Sequence, residues 1–416
     1  MPASLGVGLF LTLHVADADD VWYQYRAVLL YPADVLVALT SLVWLVSFLA
    51  AGRAVARATI VPLGIAALSI AAALSTLTAL DRIVALSVAA HLGVLVLFAV
   101  AAADLVATAR GETFWRALSV TVIVQAALAA WQAVTQSTAP TGALFNGWST
   151  EFTVDDTVAV VAVLPGVDRW LRAYGSFPHP NILGIFLSLA LLLLFLRADG
   201  SRFARIAQFA GVIGLSLTFS RSAWLALSLG TLAWVMLTQG WRGAPAWLGE
   251  HLRRRRALAL LVAIGLLFSA ARVTQLEAFP EANSLAQRQT YDNAAWSLVA
   301  PGRPVGAGNI LIAEQRQGIA VGEPTHNVFL IALAELGVPG VLAWLALLAA
   351  VVAATRRHAE PRGRAAMVAV GVALLTLLLL DHYLWTQPIG RVWLVLALAV
   401  ASVVTSTEAL PRVDRR

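Results

Sequence analysis

Apolar runs long enough to cross a bilayer recur from one end of this chain to the other. A helix needs about 20 predominantly apolar residues to span the hydrocarbon core. Of the 416 residues, 60% are hydrophobic and only 12% are charged, whereas a soluble domain of average composition carries about 25% charged residues. In lipid the backbone must satisfy its own hydrogen bonds, so only helices or a closed barrel remain. The alternating ten-residue segments of a barrel are absent. The fold class is therefore an all-α polytopic membrane protein. Twelve spans are predicted, near residues 3–16, 31–50, 59–77, 83–106, 114–136, 180–197, 204–220, 222–238, 256–272, 326–353, 364–381 and 390–406. The first is short. Met1-Pro2-Ala3-Ser4 lacks the basic residues that open a signal peptide, so it is read as a span.

All 29 basic residues are arginine, and their placement predicts the orientation. Arg53 and Arg57, Arg110 and Arg116, Arg197 to Arg205, Arg253 to Arg256, Arg356 to Arg364 and Arg412 to Arg416 fall in alternate loops. The intervening loops are acidic: Asp17, Asp19 and Asp20; Glu151, Asp155 and Asp156; Glu277 and Glu281; Glu314 and Glu323. Positive loops stay in the cytoplasm, so both termini are expected there and the acidic loops outside. Because the arginines follow topology, the net charge of +6 points to no nucleic acid partner. The absence of cysteine excludes disulfides, thiolate metal sites and thiol nucleophiles, and is compatible with an oxidising periplasm.

Two outward loops are long, residues 137–179 and residues 273–325 between the ninth and tenth spans. The second should hold a helix over about 284–299, stopped by Pro301-Gly302, with Leu285, Tyr291, Ala295 and Leu298 forming an apolar stripe on the membrane surface. No appended soluble domain is predicted, so 1–416 is read as a single membrane domain.

The residues able to carry chemistry gather at the outward rim. His326 stands in Pro324-Thr325-His326-Asn327, at the head of the tenth span, with Thr325 as the expected N-cap. A helix N-terminus disfavours imidazolium, which keeps a histidine neutral and able to accept a proton. The alternative is an interfacial histidine reaching for water. Arg221, in Thr218-Phe219-Ser220-Arg221-Ser222, lies in a turn between two spans. A guanidinium there could fork onto phosphate or merely anchor the turn. Arg288, in Ala286-Gln287-Arg288-Gln289, and Arg316, in Gln315-Arg316-Gln317, could do the same or be solvated loop charges. Tyr174, His179 and Asn181 lie in Tyr174-Gly175-Ser176-Phe177-Pro178-His179-Pro180-Asn181. They could touch a sugar or phosphate, or form a rigid turn. Glu335 follows His326 by two and a half turns and so faces away from it. No HExxH, Asp-x-Asp or Walker-type spacing exists, so neither a metal nor a cofactor is expected.

His326-Asn327, nine residues, Gly337, two residues and Gly340 together resemble the O-antigen ligase family, within the ligase and polymerase superfamily of bacterial polysaccharide assembly. The Phe219-Ser220-Arg221-Ser222-Ala223-Trp224 turn, the Phe177-Pro178-His179-Pro180-Asn181 entry and Arg288 support it. The motifs cover roughly residues 170–355. The resemblance implies a glycosyltransferase C-type membrane enzyme of a Gram-negative inner membrane, working at the periplasmic face without metal and with inversion. Its donor would be an O-antigen glycan on undecaprenyl pyrophosphate, its acceptor the lipid A–core oligosaccharide. His326 would be the base. Arg221 and Arg288 would hold the pyrophosphate, and Asn327, Arg316, Gln287, Tyr174, His179 and Asn181 are possible substrate contacts.

An O-antigen polymerase or a protein O-oligosaccharyltransferase would use the same donor. A glycolipid transporter would place its charges near the bilayer midplane and often shows repeated halves; here the charges gather at one face.

Overall fold

The computed structural model describes residues 11–16, 27–52, 60–108, 111–137, 161–164, 167–197, 201–254, 282–299, 302–318 and 323–403. It is a helical bundle. The helices are α1 (Pro32–Ala50), α2 (Val61–Ser75), α3 (Arg82–Ala107), α4 (Gly111–Thr135), α5 (Pro180–Leu196), α6 (Arg202–Leu217), α7 (Arg221–Arg254), α8 (Ala282–Val299), α9 (Ile310–Arg316), α10 (Val328–Arg357), α11 (Pro361–Leu380), α12 (Tyr383–Thr386) and α13 (Pro388–Ala401). Six of these are long and apolar enough to cross a membrane, and α2, α5 and α13 are shorter apolar helices. Ten of the expected spans are helices here; the span expected at 256–272 lies outside the described residues.

The span expected at 3–16 is different where it is described. Leu11–Val15 is a strand, β1, paired antiparallel with β2 (Ala27–Leu30). The physical reason is length: fourteen helical residues reach only about 21 Å, and Leu11-Thr12-Leu13-His14-Val15 alternates as a strand does. His14 reaches Asp81 at 2.7 Å, which seats the hairpin at the start of α3. A second hairpin pairs β3 (Val161–Leu164) with β4 (Val167–Leu171). Residues 137–179, expected as a plain loop, thus contain strand where described.

Helix starts are built by proline and polar caps. Proline occupies the first turn of α1, α5, α11 and α13, where its missing N–H costs nothing. Asp81 Oδ1 accepts from Ile83 N and Val84 N to cap α3, and Ser201 Oγ accepts from Ala204 N to cap α6. The core is long and apolar, with Phe186, Leu187, Leu192 and Leu193 of α5 at 0% exposure. Many leucines of α1, α2 and α3 point outward, among them Leu36, Leu49 and Leu63, as lipid-facing surfaces do.

The break in α10 decides how the site is assembled. Gly337 has φ +66° and ψ −154°, a conformation that costs only glycine little. Pro339, two residues on, has no N–H to give the carbonyl of Glu335. The two carbonyls so freed accept from the loop instead: Ala334 O from Val305 N at 3.0 Å and Glu335 O from Gly306 N at 2.9 Å. The same loop is sewn to the turn before α3. Val305 O accepts from Leu80 N, Ser75 Oγ from Ala307 N, and Asn309 Oδ1 from Asp81 N at 2.7 Å. Gly306 permits this approach, since a Cβ there would meet Ala79 at 2.4 Å.

Glu335, fully buried, completes the knot. Its carboxylate accepts from Trp385 Nε1 at 2.8 Å and Ile310 N at 3.2 Å. Glu335→Ala would leave two buried donors unmade, at about 1–3 kcal/mol each. The thermal midpoint of the purified protein in detergent should fall clearly, and an unchanged midpoint would remove this anchoring role. Glu314 of α9 is also fully buried, and its carboxyl oxygens find no hydrogen-bond partner among the described residues. Burial, then the nearby Glu335, raises its pKa from 4.5 to about 8. The fold therefore holds a proton that the unfolded chain releases. Stability should decline as pH climbs from about 4.5 to 8, and Glu314→Gln should flatten that decline in pH-dependent unfolding curves.

Candidate active site at the head of α10

His326 does not open a helix. Asn327 is the N-cap of α10, its Oδ1 accepting from Phe329 N at 3.0 Å and Leu330 N at 3.2 Å. This corrects the expectation that Thr325 caps the helix. Thr325 instead donates its hydroxyl to Asp292 of α8, clipping the loop helix to the histidine segment. The ring of Tyr291, also on α8, lies parallel to the His326 ring with centroids 6.2 Å apart.

The apolar stripe of α8 accordingly faces protein rather than lipid. Tyr291, Ala295 and Leu298 are 7%, 0% and 2% exposed, and Ala295 and Leu298 join the main core. The side chain of Leu285 lies outside the described ones. Packing against α10 and α9 covers the stripe more completely than a bilayer surface would.

Three histidines from separate elements meet. His326 and His382, the latter between α11 and α12, have ring centroids 5.1 Å apart at 88°. His179, at the head of α5, stacks on Tyr383 at 5.0 Å, and Tyr383 lies 4.0 Å from the His382 ring. Glu323 Oε2 is 3.8 Å from His326 Nε2. Asp381 Oδ1 accepts from its neighbour His382 N at 2.9 Å, and its Oδ2 from Ser222 Oγ at 3.3 Å. The Ser222 contact brings the Ser220-Arg221-Ser222 turn to the edge of the cluster.

The electrostatics favour neutral imidazoles. Burial, then the positive charge of Arg288, lowers the His326 pKa to about 4. His382 is held well below the usual range by burial, by His326 and His179, and by Arg288. Burial and the Asp381 carboxylate push Glu323 up to about 7, against Arg172 and Arg288. Asp381 rises to about 6 through burial, against the His382 N–H bond and Arg288. Arg288 is thus the one cation that acts on all four groups, while Arg172 acts on Glu323.

The other residues singled out in the sequence divide clearly. Arg221 is exposed at the first position of α7 and does not figure among the charges acting on His326, Glu323, Asp381 or His382. Arg316 is exposed at the end of α9. Tyr174 is fully buried, with its N–H on Gln132 Oε1 at 3.0 Å, so it is a core residue. His179 Nδ1 accepts from Asn181 N, capping α5. Asn181 Oδ1 accepts from Arg172 Nη2 at 2.5 Å, while Arg172 Nε donates to Thr218 O at 3.0 Å. The side chain of Gln287 lies outside the described ones.

Five residues at this centre escaped the sequence reading: Arg172, Asp292, Glu323, Asp381 and His382. Asp381-His382 carried a signal, because it is the first polar pair after the twenty residues of α11. Glu323, His326 and His382 also present ligand atoms within 4.8 Å of one another, a group of a kind that could hold a metal ion. No sequence spacing announces it, since the ligands come from two distant segments.

The helices give the site a side. Arg356 and Arg357 close α10, and Arg362 and Arg364 lie in the first turn of α11. The histidine cluster sits at the opposite ends of those same two helices. A family model described as O-antigen ligase matches residues 206–345, from α6 through the break in α10. That match spans 140 of the 416 residues and supports a likeness to the O-antigen ligase family. No curated protein matches the chain. The O-antigen ligase match includes Arg221, Arg288, Arg316, His326, Asn327, Gly337 and Gly340; Arg172, His179, Asp381 and His382 fall outside it. The match supports a ligase- or polymerase-type function and a glycosyltransferase-like activity in a multi-pass membrane protein.

Proposed function

We propose that this protein transfers a glycan from undecaprenyl pyrophosphate to a sugar hydroxyl of the lipid A–core oligosaccharide. The site would face the periplasm from the inner membrane of a Gram-negative cell. The observation that carries the reading is a neutral, largely buried His326 beside Arg288, at the end of α10 opposite the basic residues.

A sugar hydroxyl is a weak nucleophile, and a positioned base helps as its proton leaves. Burial keeps His326 neutral, so its lone pair is open to that proton, and Glu323 at 3.8 Å would steady the imidazolium that forms. The departing pyrophosphate gathers negative charge, which fixed cations stabilise. Arg288 supplies that charge from α8, and Arg221 would extend it from the rim. Attack on the anomeric carbon from the face opposite the leaving group gives inversion. The donor lipid would lie in the bilayer beside the site, which supplies proximity.

The test is reconstitution of the purified protein with lipid-linked glycan and either rough lipopolysaccharide or further donor as acceptor, in excess EDTA. Transfer to lipopolysaccharide is the expected result. Elongation of the donor would instead mark a polymerase. Loss of both activities in EDTA, restored by Mg²⁺ or Mn²⁺, would overturn the metal-independent mechanism.

A further inference from the structure

Glu323, His326 and His382 meet at the one place where the proposed base must stay unliganded. We infer that they form an inhibitory site for a divalent transition-metal ion, Zn²⁺ foremost. This rests on the reading of His326 as the base.

Two imidazoles and a carboxylate are the donor set that suits Zn²⁺, with Mg²⁺ and Ca²⁺ preferring all-oxygen sites. Their ligand atoms already lie within 4.8 Å of one another. Tetrahedral zinc with bonds near 2.0–2.2 Å sets its ligands about 3.3 Å apart, so modest side-chain rotations close the site. Glu323 Oε1 and His326 Nδ1 have no hydrogen-bond partner among the described residues, so a rotation of either side chain breaks no hydrogen bond at these atoms.

Thr386 can set the tautomer of His382 to that of a ligand. Thr386 Oγ1 donates to His382 O at 3.2 Å. The same oxygen lies 2.8 Å from His382 Nδ1, and with its proton on the carbonyl it accepts from Nδ1–H in one of the two tautomers. That tautomer puts the lone pair of His382 on Nε2, and the proposed site requires it. Metal-binding histidines are held in this way by a second partner on the other nitrogen. Asp292 acts one step further out, through its bond to Thr325 beside His326.

Arg172 and Arg288 sit close enough to act on Glu323 and oppose a second positive charge. Affinity should thus be micromolar rather than that of a structural zinc site. A bound ion would occupy the lone pair that His326 needs for the acceptor proton and so halt transfer. With no cysteine in the chain, no thiolate competes for the metal.

The experiment uses the full-length protein in nanodiscs, stripped with EDTA and then dialysed. Zn²⁺ binding is measured by titration calorimetry and by metal content, and Co²⁺ by its visible spectrum. One ion per chain is expected. Glu323→Gln, His326→Ala and His382→Gln should each weaken binding at least about tenfold, since one of three ligands is lost (one tenfold step is about 1.4 kcal/mol). His358→Ala, at the far end of α10, should leave binding unchanged. In the transfer assay, micromolar Zn²⁺ should stop the wild type, and EDTA should restore it. Absence of stoichiometric binding, binding that survives all three substitutions, or binding that leaves transfer intact would each overturn the site. Zn²⁺ that activates the stripped enzyme would also overturn it. The base reading fails separately, if His326→Ala retains transfer in EDTA.

Discussion

His326→Ala should abolish glycan transfer while the protein still folds and inserts. A positioned general base contributes about 10²–10⁴-fold to rate, so the loss should be at least a hundredfold. The imidazole sits between the rings of Tyr291 and His382, and its Nδ1 has no hydrogen-bond partner among the described residues. Its removal therefore breaks no bond on which the cap of α10 depends, because Asn327 makes that cap. The measurement is an initial rate with purified donor and acceptor, beside a thermal unfolding curve for the same preparation. A folded variant that transfers glycan at the wild-type rate would remove His326 from the chemistry. Asn327→Ala provides the contrast. It should lower the unfolding midpoint, because an N-cap is worth about 0.5–2 kcal/mol.

Arg288→Ala should impair use of the donor far more than Arg221→Ala. Both arginines were read from the sequence as pyrophosphate ligands, yet the fold sets them apart. Arg288 acts on four titratable groups of the cluster, while Arg221 is exposed at the rim. A charge-assisted contact is worth about 1.5–3 kcal/mol, so Arg288→Ala should lower kcat/KM for the donor about ten- to a hundredfold. The KM for the acceptor should change little. Arg288→Lys should recover only part of the loss, because an ammonium keeps the charge without the planar fork. Donor kinetics of Arg288→Ala, Arg288→Lys and Arg221→Ala decide the matter. If Arg221→Ala proves the more damaging, the pyrophosphate lies at the rim rather than beside His326.

Sequence alone made legible the helical membrane character, ten helices and the alternation of basic and acidic loops, and it singled out His326 as a candidate. Those features rest on local rules. Apolar run length marks a span, and a histidine at a span end is visible without knowing its neighbours. The limits of the same rules appear in particular residues. Leu11–Val15 is short enough to be either a turn of helix or a strand, and only its pairing with Ala27–Leu30 decides. Glu335 was singled out in the sequence only for its position relative to His326, and its work of holding Trp385 and Ile310 depends on a loop whose path no periodicity encodes. Gly337 and Pro339 announced a break; that the freed carbonyls would catch Val305 and Gly306 is a tertiary fact. The cluster around His326 is of this second kind. Arg172, Arg288, Glu323, His326, Asp381 and His382 lie in four separate stretches of chain. Burial perturbs their charges only once packing has excluded water and brought them within reach of one another.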